Sequence, residues 1–174
     1  MLDQLRSIVQ EVNSARDLQS ALDIIVTRVR SALNTQVCSV YLLDKDINSH
    51  VLMASQGLKA EAVGRVSLQT DEGLVGLVAK YAEPINLSDA STHPSYFYLQ
   101  DTGEEEFNSF LGVPIIHHRA VLGVLVIQQR ESRRFDEGEE AFLITLSAQL
   151  SGVIAHAEAT GAIQGLSPSG KKTE

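Results

Sequence analysis

The residues able to do chemistry are few and scattered. The single cysteine, Cys38, lies inside the apolar run VCSVYLLD (37–44). A nucleophilic thiol needs a base in reach and an electropositive, partly exposed setting. Beside Val37 and Val40 it reads instead as a small, inert core residue. No intramolecular disulfide can form, and a reducing compartment such as the cytoplasm fits. The five histidines are His50, His93, His117, His118 and His156. None pairs at helical i, i+4 spacing, and the chain has no C-x-x-C or H-E-x-x-H, so no metal site is expected. His117 and His118 fall in a turn, and in an extended hairpin their side chains are expected on opposite faces. There is no G-x-S-x-G elbow. Gly73-Leu74-Val75-Gly76 lacks the Gly-Lys-Ser/Thr ending of a Walker loop. It reads as a tight helix start whose amides could hold a carboxylate. The residue types therefore predict no catalytic centre, no metal and no cofactor.

Charge excludes further classes. The 174 residues carry 14 Lys and Arg against 22 Asp and Glu, a net charge of −8. Nucleic acid is a poor partner for such a surface, because phosphate neutralisation needs clustered cations. The densest basic spot, Arg130, Arg133 and Arg134, reads as a solvated turn. The first ten residues have no hydrophobic segment of the signal-peptide kind. The longest apolar run, Ala120 to Ile127, is far short of the roughly 20 residues of a membrane helix.

The elements that would position a site follow from periodicity. Leu2, Leu5, Val9 and Val12 share one face of a first helix. Ser14, with Asp17 three residues on, reads as a capping-box-like restart. Leu18, Leu22, Ile25, Val29 and Leu33 stripe a second helix that Asn34 can end. Val37–Asp44 and Val51–Ala54 read as a hairpin across a polar turn, and Arg65–Leu68 as a short strand. A short helix over LVGLVAKYA follows, stopped by Pro84, and then a short extended piece, Ile85–Leu87. Phe110–Ile116 and Ala120–Gln129 are the strongest strands. Asp136 with Glu139 forms a capping box opening a long helix along Phe142, Leu146, Leu150, Val153 and Ile154. The expected fold is α+β: a mainly antiparallel sheet with the terminal helices on one face. Residues 1–17 form a leading helix, 18–158 the domain, and 159–174 a linker or tail.

Both sheet faces are apolar, so the face away from the terminal helices needs a cover. Only the short helix and the long polar segment Ser88–Phe110 remain to supply it. That segment holds Tyr96, Phe97, Tyr98 and the acidic run Glu104–Glu106, and reads as a partly ordered lid. A small helix plus a loop over an apolar floor makes a small-molecule pocket. Its expected lining is Cys38, Val40, Leu74, Leu77, Tyr96, Phe110 and Pro114. The polar candidates are Asn86, Ser88, Asp89, Thr92 and His93, although Asx and Ser side chains also cap turns. Arg65 and Lys80 are the only basic residues near the expected mouth. Periodicity does not say which face holds the pocket. The terminal helices either finish the core or spare an apolar stripe for dimerisation or a following domain.

Three stretches carry a family resemblance: DEGLVGLVAKYAEPINLSDA (71–90), FLGVPIIHHRAVLGVLVIQQRE (110–131) and FDEGEEAFLITLSAQL (135–150). They resemble GAF domains, a family of small-ligand and chromophore sensors, over Leu18 to about His156. The opening MLDQLRSIVQEVNSA, VCSVYLLD, INLSDASTHPSY (85–96) and SFLGVPII (109–116) are similar to the branch that begins enzyme I of the nitrogen phosphotransferase system. Related nitrogen-regulatory GAF domains stand next to it. The resemblance implies a six-stranded antiparallel sheet with helices behind it and a ligand pocket in front. It also implies further domains beyond Glu174 that move phosphate from phosphoenolpyruvate onto a histidine and then to a carrier. The GAF domain would gate that autophosphorylation by nitrogen status, with glutamine and 2-oxoglutarate as signals. None of the five histidines sits in a phosphoacceptor-like motif, so no catalytic residue carries over. The lid lacks the cysteine of bilin-binding members and the cysteines of members that reduce free methionine sulfoxide. Phe135, Asp136 and Glu137 match only a fragment of the cyclic-nucleotide signature.

Overall fold

A computed structural model describes residues 2–96 and 107–161. Phe97, Tyr98 and Glu104–Glu106 of the expected lid lie outside the described residues, as does the tail beyond Gly161. The element order is α1 (Leu2–Asn13), α2 (Leu18–Leu33), β1 (Val37–Asp44), β2 (Ser49–Gln56), β3 (Ser67–Gln69), α3 (Gly73–Tyr81), β4 (Ile85–Leu87), β5 (Ser109–His117), β6 (Ala120–Gln129) and α4 (Glu137–Ala159). Single 3-10 turns at Ala60–Ala62 and Ala90–Thr92 precede β3 and follow β4. The six strands form one sheet in the order β3-β2-β1-β6-β5-β4, and every pairing is antiparallel.

Helix ends follow local chemistry. Asp17 is itself the N-cap of α2, its carboxylate accepting from the Ser20 amide at 2.8 Å. The restart therefore belongs to Asp17, and the expected role of Ser14 is corrected. Asn34 ends α2 in the left-handed conformation at φ 53°, which Asn tolerates better than most residues. The Asp136–Glu139 capping box is complete in both directions. Ala82 closes α3 in the left-handed region, two residues before Pro84.

The β5–β6 hairpin corrects a second expectation. His118 and Arg119 both have positive φ, 49° and 68°, the arrangement that fits the right-handed twist of a two-residue hairpin. That turn folds His118 back on His117, and the rings stack with centroids 4.0 Å apart. They do not point to opposite faces.

The sheet separates two apolar layers. Behind it, Ile8, Val12, Leu22, Ile25, Val29, Leu143, Leu146, Leu150 and Ile154 from α1, α2 and α4 meet Cys38, Val40, Leu42, Leu111, Val113, Leu125 and Ile127. In front, Leu74, Val75 and Val78 of α3 meet Val37, Tyr41, Leu52, Leu68, Phe110, Val124 and Val126. By length and composition α4 could cross a membrane. Its buried Phe142, Leu143, Leu146, Leu150 and Ile154 pack against the sheet and the other terminal helices, as a core helix does.

Candidate functional site

Cross-strand partners share a sheet face, so the register assigns every strand residue to front or rear. One front row runs Val37, Gln128, Phe110 and Leu87. The next holds Ser55, Ser39, Val126, Gly112 and Ile85. A third holds Leu52, Tyr41, Val124 and Pro114, and a fourth Leu68, His50 and Leu43. The rear rows contain Cys38 with Ile127, Leu111 and Asn86, then Val40 with Leu125 and Val113. Front and rear thus alternate with the pleat, and the covered front floor is the candidate site.

That floor is apolar with polar points. Ser39 is fully buried, Tyr41 is 2% and Gln128 5% exposed. The Ser39 and Ser55 hydroxyls bond at 2.9 Å. Above them lie α3, the loop residues Leu58 and Ala62, and the buried Ala90 and Phe107 at the two ends of the lid, with Tyr96 packed alongside. Space is tight at the centre. A methyl on Gly112 would meet two atoms of the Phe110 ring at 2.9 Å and Val78 at 3.1 Å.

The residues expected to line a pocket do not all gather there. Leu74, Phe110 and Pro114 contribute to the front layer, and Tyr96 packs against it. Cys38 and Val40 belong to the rear core, which corrects their expected placement. Because the alternation puts Ser39 and Tyr41 in front, Cys38 and Val40 must point behind. Burial pushes the Cys38 thiol well above its ordinary pKa, so it stays protonated and unreactive. Asn86 is also corrected. Its amide donates to the Phe135 carbonyl at 2.8 Å and to Glu140 at 3.2 Å, and its oxygen accepts from the Phe135 amide at 3.1 Å. It pins β4 to the approach of α4 on the rear side.

The remaining candidates sit in the turn after β4. Ser88 and Asp89 are exposed there and His93 is half-buried, while Leu77, also half-buried, belongs to α3. The Asp89 carboxylate accepts from the Ser91 hydroxyl, its carbonyl from Thr92, and the His93 Nδ1 from the Ser95 amide. These are turn bonds of the Asx and Ser kind. Sequence reasoning passed over Ser39, Tyr41, Gln128 and His50. The usable signal was period-two polarity in β1, where Ser39 and Tyr41 alternate with Cys38 and Val40. Among the described residues no group of three or more His, Cys, Asp or Glu could hold a metal ion.

The chain resembles proteins of known kind over most of its length. The GAF domain family model matches residues 17–154. A phosphoenolpyruvate-dependent phosphotransferase system protein of Salmonella typhimurium is 52% identical over 160 residues, covering 92% of this chain and 21% of that protein. A Nif-specific regulatory protein of Azospirillum lipoferum is 29% identical over 148 residues, covering 81% of this chain and 23% of the relative. The solved GAF domain from a phosphoenolpyruvate-protein phosphotransferase of Coxiella burnetii superposes with a TM-score of 0.90 at 49% identity, covering 93% of this chain and 96% of that one. This chain therefore spans about a fifth of the length of the curated relatives it matches.

Proposed function

The chain belongs to the GAF domain family, and from that premise we propose that it is the effector-sensing domain of a phosphoenolpyruvate-dependent phosphotransferase. The observation that carries this reading is the set of buried polar groups, Ser39, Tyr41 and Gln128, on an apolar floor under α3 and the ends of the lid. An apolar cleft with a few fixed polar groups suits a small molecule that needs orientation. The effector is of the glutamine or 2-oxoglutarate class, and its binding controls autophosphorylation by domains beyond residue 174 in nitrogen-related signalling. Residues 1–17 and α4 serve a homodimer interface, 159–174 link to the next domain, and the protein works in the cytoplasm. The domain turns over nothing itself.

Titration of the chain with glutamine and 2-oxoglutarate, followed by amide NMR, tests this. Saturable shifts at Ser39, Tyr41 and Gln128 at millimolar ligand are expected. Silence there for both ligands refutes direct sensing. One observation favours a second reading, an interaction module with a closed chamber: the Phe110 ring and Val78 leave no room for a methyl on Gly112. That reading predicts no shift with either ligand but a concentration-dependent change in oligomeric state or contact with the phosphotransferase domains.

A further inference from the structure

A cavity opens on the front face at the end away from the lid. It has a volume of about 360 Å³ and is lined by Leu43, His50, Thr70, Asp71, Ala79, Lys80 and Val121. The lid joins the sheet where β5 begins and β6 ends, at Ser109 and Gln129. This cavity lies where β1 ends and β6 begins, under the last turn of α3. It is distinct from the covered floor that holds Ser39 and Gln128, and it does not depend on whether a ligand sits there.

Three features of the cavity point to a ligand. His50 is 2% exposed, and its Nδ1 is buried with no hydrogen-bond partner. A buried, unpartnered ring nitrogen is costly, and a natural fold retains few of them. Burial holds the imidazole pKa near 4, so at neutral pH the ring is uncharged, with one donor and one acceptor. Lys80 and Asp71 are exposed, one of each sign. Neither takes part in an ion pair among the described residues. The Lys80 ammonium instead lies 5.5 Å from the centre of the Tyr81 ring. Leu43, Ala79 and Val121 supply apolar wall to the same cavity.

We infer that this cavity binds a free α-amino acid whose short side chain ends in a hydrogen-bonding group. Lys80 takes the α-carboxylate and Asp71 the α-ammonium, the pairing that only a zwitterion satisfies at both charges. The side chain points inward along Leu43, Ala79 and Val121 and reaches His50. A simple anion would be repelled by Asp71, and a simple cation by Lys80. A purely aliphatic side chain would leave the His50 nitrogen unpaired, the situation in which hydrogen-bonding sites discriminate best.

Threonine and valine are the probes, because they match in shape and differ by one hydroxyl. The 174-residue chain, labelled with ¹⁵N, is titrated with each to tens of millimolar. Threonine is expected to give saturable shifts at Thr70, Ala79 and Val121 and in the His50 ring nitrogens, with no shift at Ser39 or Gln128. Valine is expected to bind at least about tenfold more weakly, the factor for a hydrogen bond left unmade in a buried site. D71N and K80M, both at exposed positions, should each weaken threonine by a similar factor without altering the fold. Equal binding of threonine and valine, or affinity unchanged in both variants, overturns the assignment. So does an absence of saturable shifts around the cavity, which would mean that water alone occupies it. Shifts confined to Ser39 and Gln128 would overturn this site while supporting the lid-side chamber.

Discussion

Replacing Asn86 tests whether a polar residue in the short β4 segment serves structure or ligand. The side chain makes three hydrogen bonds, two of them to the buried backbone of Phe135, which is 2% exposed. Asn86→Ala strands the Phe135 N–H and C=O together. Each unsatisfied buried backbone group costs about 1–3 kcal/mol. Asn86 is 8% exposed, so water can relieve part of this, and a loss of about 3 kcal/mol is expected. That is a large share of the roughly 5–15 kcal/mol by which a domain is stable. In urea, with a slope near 2 kcal/mol per molar, the midpoint should fall by about 1.5 M with the slope unchanged. Asn86→Asp keeps an acceptor for the Phe135 amide but sets a carboxylate against the Phe135 carbonyl and Glu140. It should be at least as destabilising at pH 7 and recover as the carboxyl protonates in acid. Effector binding, measured well below the midpoint, should be unchanged in Asn86→Ala. If stability instead stays within about 0.5 kcal/mol of the parent, the range of a surface substitution, while binding disappears, Asn86 is a ligand group and the rear-face argument fails.

Three further outcomes follow from the packing and the charges. Gly112→Ala should cost about 1–3 kcal/mol, since its methyl must displace the Phe110 ring and Val78. Gly123→Ala should cost more, because the added carbon would sit 2.1 Å from the Tyr41 carbonyl oxygen, a backbone atom that no rotamer change can move; thermal melts of the pair give the order, and the reverse order would refute it. His50 has its pKa held near 4 against an ordinary 6.5. The unfolded chain therefore takes up a proton below pH 6.5 that the folded chain refuses until about pH 4. Stability should fall through that window by up to about 3 kcal/mol, and His50→Gln should flatten the urea-midpoint profile there; an unchanged profile would refute the assignment. Asp136→Ala removes the acceptor for the Glu139 amide at 2.8 Å and should cost about 1 kcal/mol in a melt, whereas Asp136→Asn should retain most of the cap.

Much of the fold was legible because it rests on local patterns. Helical spacing marks α1, α2 and α4. The apolar runs mark β1, β5 and β6, and the Asp136–Glu139 pair marks where α4 begins. Even the resemblance to the GAF family rested on short contiguous stretches. The site was less legible because position within a strand is not the same as position on a face. VCSVYLLD alternates Ser39 and Tyr41 with Cys38 and Val40, but the alternation alone does not say which set faces α3. Pairing β1 between β2 and β6 decides it, putting Ser39 and Tyr41 under α3 and turning Cys38 and Val40 toward the terminal helices. Asn86 looked like a ligand residue because it is polar beside a lid. It became a structural bolt only when Phe135, 49 residues away, arrived at its amide. His50 carried no signal at all. Its unpaired nitrogen, and the opposite charges of Asp71 and Lys80 around the same cavity, exist only once β2, the β3–α3 connection and α3 are brought together. Contacts along the chain are written in residue spacing, whereas a pocket is made of contacts between distant segments, and those follow from strand order and register.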